Sequence, residues 1–385
     1  MPQFRPDTWL REWLTEIRRH LHQYPELAYQ EVKTAAYICH QLTKLGIHYR
    51  AGVAGTGVVA TLNDGGDNPS GVALRADMDA LPLQEETGLP FASSHPGVMH
   101  ACGHDGHIAM LLGAAALLKN QDKELPGRVV LLFQPAEEGG GGARTMISEG
   151  CLDGVDLIFG GHIDRHLRVG QIAVQAGVIC ASTDTFRIEV RGRGGHAAKP
   201  HETVDAIVAA CQLVNTVQTL ISREIDPVRP AVITIGQIQG GTTSNVIADR
   251  VNLAGTIRST DPMIRAQLFA GLERMCRQTG QLYRADIIIS FSEGYKPIDN
   301  DPAAAELARQ AAIASVGPDQ VPGLPYPSMG GEDFSFYLDR VPGCFVRFGG
   351  QRQDLPEAAA HSAQFDFDEG VLPVGAEFLA RVAWA

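Results

Sequence analysis

Four short stretches carry most of the residues able to do chemistry. Leu74-Arg75-Ala76-Asp77-Met78-Asp79 sets two carboxylates just past an apolar run. Leu132-Phe133-Gln134-Pro135-Ala136-Glu137-Glu138 sets two more past a second run, and Ile158-Phe159-Gly160-Gly161-His162 sets a histidine past a third. If these runs are strands of an open α/β sheet, their carboxyl ends border the ligand crevice. Five metal-capable or acid-base groups arriving there from separate strands serve stability poorly, because a buried charge without a partner costs desolvation. The fourth stretch, His100-Ala101-Cys102-Gly103-His104-Asp105-Gly106-His107, opens a helix. Thiolate and imidazole both ligate zinc-like ions. Cys102 and His104 are two apart on a glycine-containing loop and could face one site, while His104 and His107, three apart, could share a helix face. Asp105 could instead be a helix cap beside ordinary surface histidines, or Cys102 a nucleophile with a histidine base. Neither alternative needs Glu137, Glu138 and His162 at strand ends, whereas a metal site uses them all.

The elements that position these groups follow from periodicity. Trp9, Leu10, Trp13, Leu14, Ile17 and Leu21 recur at helical spacing, with Asp7 or Thr8 as cap. A second helix is predicted over 32–45, closed by Gly46 in a left-handed cap. Strands over 58–62, 72–74, 129–133 and 157–159 then alternate with helices over 104–118 and 143–149. Short apolar strands between helices predict an α/β layer with a mostly parallel sheet buried on both faces. Near residue 183 the pattern changes. Phe186, Ile188 and Val190 alternate with Arg187 and Glu189, as a half-exposed strand does. A helix over 204–222, strands over 231–238 and 251–258, a helix after Asp261-Pro262 and a strand over 285–291 complete a β-α-β-β-α-β order, the ferredoxin-like arrangement. A helix over 302–314, a strand over 344–348 and a helix from Glu369 return to the first pattern. The expected organisation is a discontinuous α/β domain over 1–182 and 294–385, interrupted by a smaller domain over 183–293.

Composition narrows the classes. The 385 residues hold ample core for two or three domains. Lys and Arg number 32 against 44 Asp and Glu, a net charge of −12, which argues against a nucleic-acid or anionic-membrane binder. Residues 1–20 are rich in charge without an apolar stretch, so no signal peptide is expected. The longest apolar run, 108–118, is far short of the ~20 residues of a membrane span. Seven scattered cysteines fit a reducing compartment better than a disulfide framework, and a cytoplasmic protein is expected. The 42 glycines predict many tight turns and close backbone approaches.

The chain resembles the M20 metallopeptidase family. The resemblance rests on Arg75-Ala76-Asp77-Met78-Asp79-Ala80-Leu81-Pro82, Met99-His100-Ala101-Cys102-Gly103-His104-Asp105-Gly106-His107, Gln134-Pro135-Ala136-Glu137-Glu138, Gly194-Gly195-His196-Ala197-Ala198-Lys199-Pro200-His201 and Gly330-Gly331-Glu332-Asp333-Phe334. It extends from Arg19-His20-Leu21-His22 to His361-Ser362 and is nearest the branch of aminoacylases, hippurate hydrolases and auxin-conjugate hydrolases. It implies a metal-dependent amidohydrolase that cleaves N-acyl amino acids, with two divalent ions per subunit (zinc, manganese, nickel or cobalt). It also implies that the 183–293 domain is a lid and dimerisation domain, so a homodimer or larger homo-oligomer is expected. Carried over by position, the metal ligands are Cys102, His104, Glu138, His162 and His361, and Glu137 is the general base. Asp77 stands where the peptidase branches have a ligand histidine; Asp77 and Asp79 are read as supporting residues. His196, Asn245 and Arg258 resemble the substrate-binding residues, although the family's proline after Asn-Val-Ile is Ala248 here. A dipeptidase or aminopeptidase of the same family, or a non-catalytic binding protein on its fold, are the alternatives.

The separate roles of Glu137 and Glu138 have a physical reason if the segment is near-extended. Consecutive side chains then point to opposite sides, so one carboxylate binds an ion while the other faces the attacking water.

Overall fold

The computed structural model describes residues 4–63, 71–121, 125–354 and 359–385. They gather into two compact units. The first holds the described residues up to Gly177 together with Asp299–Pro325 and Asp333–Ala385; the second holds Val178–Ile298 and Tyr326–Glu332.

The first unit is built on a seven-stranded sheet. Its order is His48–Val53, Gly57–Leu62, Arg128–Gln134, Gly71–Asp77, Leu157–Asp164, Gly343–Gly349 and Ile172–Ala173. The middle four strands are mutually parallel, and the pairings outside them are antiparallel. Their carboxyl ends fall at Gln134, Asp77, Asp164 and Gly349, on one edge of the sheet, as the apolar runs predict. The strand Arg128–Gln134 is buried from its second residue onward, which explains why it reads as apolar without alternation. Of the flanking strands, Gly57–Leu62 shows the same apolar run, but the two edge strands left no such mark. His48–Val53 is exposed until Val53, and Ile172–Ala173 is two residues long.

Helices cover this sheet. Asp7 caps the helix Thr8–Gln23 by accepting from the Leu10 amide at 2.8 Å, and Gly46, at φ +63°, follows the helix Val32–Lys44. The helix His104–Lys119 is buried along nearly its whole length, so it shows no polar face. It crosses Val371–Trp384 and Thr8–Gln23 closely at Gly113, where an added Cβ would sit 2.7 Å from the Ala376 Cβ and 2.8 Å from Leu14 Cδ2. Arg18, wholly buried, reaches from the first helix to Asp105 (3.0 Å) and to Asp366 and Glu369. Asp105 also accepts from His22 Nδ1 at 2.9 Å. It is therefore an anchor beside His104 and not a cap; Gly103 holds the cap position at φ +91°.

The second unit has a four-stranded antiparallel sheet in the order Ala231–Gly240, Arg250–Ser259, Ser182–Arg191, Asp286–Glu293. Numbered along the chain this is 2-3-1-4, the ferredoxin-like order. Phe186, Ile188 and Val190 point into a core shared with Leu213, Val217, Leu268 and Leu272 of the helices Ala206–Thr219 and Pro262–Tyr283. Asp205 and Asp261 cap these helices. His201 lies in the short 3-10 turn Pro200–Glu202. Residues 326–332 belong here because Ser328 pairs with the backbone of Ile179 and Ala181, at 2.8 and 2.9 Å.

The helix crossing at Gly113 yields a stability prediction. Gly113→Val should lower the unfolding free energy by about 1–3 kcal/mol through overpacking, read as a lower denaturant midpoint. An unchanged midpoint would show that the crossing has slack.

Candidate metal centre

Asp77 ends its strand fully buried. Its Oδ2 accepts from Arg75 Nη1 at 2.7 Å, and its Oδ1 lies 2.6 Å from His107 Nδ1. The other nitrogen of His107 accepts from the Ile163 amide at 3.0 Å. Both ring nitrogens are thus engaged by protein groups. His107 shares the helix face with His104 but braces Asp77 and the strand Leu157–Asp164 instead of presenting a donor.

His104 opens the same helix differently. Its Nδ1 donates to the Asp79 carbonyl at 2.8 Å, which fixes the ring and aims Nε2 at the cluster. Among the described residues, that buried Nε2 has no hydrogen-bond partner. His162 is held in the same manner, with Nδ1 2.7 Å from the Ile163 carbonyl and Nε2 3.3 Å from Cys102 Sγ. A histidine whose second nitrogen is pinned on a carbonyl is oriented as metal-ligating histidines are.

Glu137 and Glu138 follow the strand Arg128–Gln134, but not in an extended segment. They open a turn, and Ala136 before them is left-handed at φ +54°. The two side chains therefore do not leave opposite sides of an extended strand. The turn instead brings a carboxylate oxygen of each to within 4.8 Å of a nitrogen of His104. What separates the two acids is their remaining company. Glu137 is buried, and its Oε1 accepts from the Asp333 amide at 3.3 Å. Glu138 is half-buried, and its Oε1 stands 3.1 Å from His361 Nε2. His361 comes from a stretch without regular structure, at φ +61°, tethered by its amide to the Ala101 carbonyl at 2.8 Å. Left-handed backbone costs a non-glycine residue about 1–3 kcal/mol, and both instances here adjoin the cluster.

The donors interlock through Cys102. Its sulfur lies within 4.8 Å of donor atoms from His104 and His162, and equally of donor atoms from Glu138 and His361. Donors about 2.0–2.3 Å from one ion stand at most ~4.6 Å apart, so each trio has the spread of a ligand set. A thiol, three imidazoles and a carboxylate, with one orphaned ring nitrogen among them, fit divalent metal ions.

Electrostatics points the same way. Burial opposes ionisation of Asp77, but His104, His107 and Arg75 outweigh it and hold the carboxyl well below the usual range. Burial disfavours a charged His104, yet Asp77 and the bond to Asp79 hold its pKa well above the ordinary value. Burial, with His107 and Arg347, keeps His162 neutral. Burial pushes the Cys102 thiol up to about 12.

Asp79 and Asp333 shape this ground. Asp79 accepts from the amides of Glu137 and Glu138 at 3.0 and 2.9 Å. Asp333 precedes the short helix Ser335–Leu338 and is locked by Arg75 Nη2, Gln134 Nε2 and the Ala143 amide, at 2.8–3.0 Å. Glu31, which no motif singled out, accepts from the Ala136 amide at 2.9 Å. In the second unit, His196 and Asn245 are exposed and adjoin each other, His196 pairing with Val246 and the Asn245 carbonyl accepting from the Ala197 amide at 3.1 Å. Arg258 lies at the far end of the strand Arg250–Ser259, donating to the Met329 carbonyl at 2.9 Å. The structure does not bring it to the other two, which adjoin the opposite end of that strand, near Asp249 and Arg250.

Comparisons with known proteins agree with this centre. Residues 73–385 match the model of peptidase family M20/M25/M40. The chain is 44% identical over 340 residues to N-acetyl-L-cysteine deacetylase of Bacillus subtilis, covering 88% of this chain and 81% of that protein. It is 41% identical over 377 residues to IAA-amino acid hydrolase ILR1-like 4 of Arabidopsis thaliana, covering 97% and 85%. The Bacillus subtilis YXEP protein, described as a dinuclear metal-binding peptidase of family M20, superposes with a TM-score of 0.84 at 35% identity, covering 98% of each chain. A metal-dependent amide hydrolase is the class that fold and centre define. The chain belongs to peptidase family M20/M25/M40.

Metal uptake should be coupled to proton release. Without metal, the Cys102 thiol and His104 imidazolium both hold a proton near pH 7 and must lose it to ligate, whereas His162 is already neutral. Affinity should therefore rise with pH, with at least two protons released per centre near neutrality and His361, whose pKa the Glu138 carboxylate raises, adding to them, measurable by calorimetry in buffers of different ionisation enthalpy. No proton release would show that the thiol and His104 do not ligate.

Proposed function

We propose that the protein hydrolyses the amide of N-acyl amino acids, using two divalent cations per subunit. The observation that carries this reading is the position of the Cys102 sulfur, common to the His104–His162 trio and the Glu138–His361 trio. On this reading Cys102, His104, Glu138, His162 and His361 hold the cations, and zinc, manganese, nickel and cobalt all suit the mixed donor set. When bound, the cations lower the pKa of a water molecule toward ~7 and polarise the scissile carbonyl.

The protein's own groups do the rest. Glu137 takes the proton of the attacking water and passes it to the departing amine, which returns the carboxylate to its starting state. The Asp333 amide steadies one of its oxygens. Asp77 fixes His107 and faces His104, and Asp79 aims His104 and holds the Glu137–Glu138 turn. His196 and Asn245, reaching across the proposed dimer, meet the substrate carbonyl, and Arg258 of the other subunit meets the free carboxylate, for which a guanidinium fork is suited. The substrate class is supported by the names of the deacetylase and amino acid hydrolase relatives.

The 183–293 segment acts as lid and dimerisation domain. A homodimer is supported by the sheet-edge strand Ala231–Gly240, which leaves Ile238 exposed; an unpaired strand edge is a template for pairing. Among the described residues no helix is long and apolar enough to cross a membrane. A cysteine placed to ligate as a thiolate suits the reducing cytoplasm.

The test is a hydrolysis screen after chelation, with each metal added back singly. N-acetyl, N-benzoyl and longer N-acyl amino acids should be cleaved. Preference for dipeptides with a free amine would overturn the substrate class, and absence of any hydrolysis with the metals bound would leave a binding protein. Glu137→Gln should keep its metal and lose about 10²–10⁴ in kcat; full activity would remove Glu137 from the mechanism.

A further inference from the structure

We infer that Glu31 is a positioning residue for the Glu137–Glu138 pair, acting through the backbone of Ala136. Three consecutive amides, those of Ala136, Glu137 and Glu138, each donate to a carboxylate from elsewhere in the chain. Asp79 takes the second and third. Glu31 takes the first, with Oε1 2.9 Å from the Ala136 nitrogen. Its other oxygen accepts from the Thr56 hydroxyl at 2.6 Å. Glu31 is wholly buried and lies at the start of the helix Val32–Lys44, yet its side chain makes no cap bond to that helix. Both of its oxygens are turned to the far side, toward the turn and the strand Gly57–Leu62. Burial raises the carboxyl above its usual range, against the lowering effect of the Thr56 and Ala136 bonds. A buried acid at a helix start that leaves the helix uncapped is poorly placed for stability alone.

The geometry gives it a task. Ala136 stands at φ +54°, in the region that l-residues other than glycine, asparagine and aspartate avoid. Its amide must point at the Glu31 carboxylate for this conformation to be held, while its carbonyl accepts from Gly142 at 3.1 Å. The sign of φ at 136 decides where the next two side chains leave the chain. Without the Glu31 oxygen, Ala136 relaxes toward negative φ and swings Glu137 and Glu138 away from His104.

This inference rests on the roles given to Glu137 and Glu138 above. Its test uses Glu31→Ala, Glu31→Gln and the double variant Glu31→Ala/Ala136→Gly, each titrated with zinc alone after chelation and then assayed on an N-acyl amino acid. Glu31→Ala should weaken the zinc site that includes Glu138 by about 10- to 100-fold, the usual cost of losing a ligand's support, and lower kcat with KM little changed. Glu31→Gln retains an acceptor oxygen for the Ala136 amide and should stay within about threefold of the parent. Glycine adopts positive φ without help, so Ala136→Gly should restore most of the zinc affinity and kcat to the Glu31→Ala chain. A purely structural role predicts no such rescue, because glycine at 136 fills no cavity at 31. Unchanged zinc affinity and kcat in a folded Glu31→Ala, or losses in Glu31→Gln as large as in Glu31→Ala, would overturn the positioning role and leave the metal centre standing. A parent protein that binds no zinc would instead overturn the centre itself, and this inference with it. If Glu31→Ala does not fold, the double variant decides: a folded Glu31→Ala/Ala136→Gly with near-parental zinc affinity and kcat supports the role, and failure to fold or to bind zinc overturns it.

Discussion

The centre depends on the way one buried side chain, Asp79, divides its acceptors. Its two carboxylate oxygens hold the amides of Glu137 and Glu138, and its main-chain carbonyl holds the Nδ1 of His104. A single residue at the end of one strand thus sets the position of a neighbouring strand's turn and the tilt of a helix's first ring. A backbone amide bonded to a carboxylate is a charge-assisted contact, stronger than its neutral counterpart. Each such bond also relieves the cost of a carboxylate taken out of water. Removing the Asp79 carboxylate would leave two buried amides unsatisfied at once.

Around this point the buried charges alternate in sign. Arg75 lies between Asp77 and Asp333, and Arg18 gathers Asp105, Asp366 and Glu369. Every arginine in these sets touches more than one acid, and the acids belong to elements far apart in sequence. Breaking one member would strand the others without compensation, the costly way to disturb a buried ion set. The result is a closed bed beneath open donors: Glu138 and His361, the more exposed pair, sit on top of residues that are closed to water.

Much of this is legible in the sequence. The α/β class, the apolar strands and the donors at their ends were readable because burial on both faces leaves an unbroken apolar run, and polar residues just past such runs stand out. The helix starting at His104 was clear for the same reason. Other features left no local trace. His48–Val53 is an exposed edge strand without a pattern. Glu31 is one acid among 44 acidic residues in the sequence, and its meaning lies in a partner more than a hundred positions away. His107 shares the spacing of a ligand, and only its two occupied nitrogens show that it is a brace. The near-extended geometry assumed for Glu137 and Glu138 failed because the left-handed Ala136 turns the chain at the strand's end. Spacing could not reveal that a non-glycine residue would be held there. Sequence also could not separate Arg258 from His196 and Asn245, because their distance is a property of strand length and register.

The shared sulfur of Cys102 has one more consequence. With no ion bound, burial would keep this group as a thiol, and thiols react sluggishly with peroxides and alkylating agents compared with thiolates. A newly made chain can therefore wait for its ions without its most vulnerable atom being consumed. On the proposed ligand set the danger would come during partial stripping, when one trio had lost its ion while the other still held the sulfur deprotonated: damage to that one atom would then cripple both trios together.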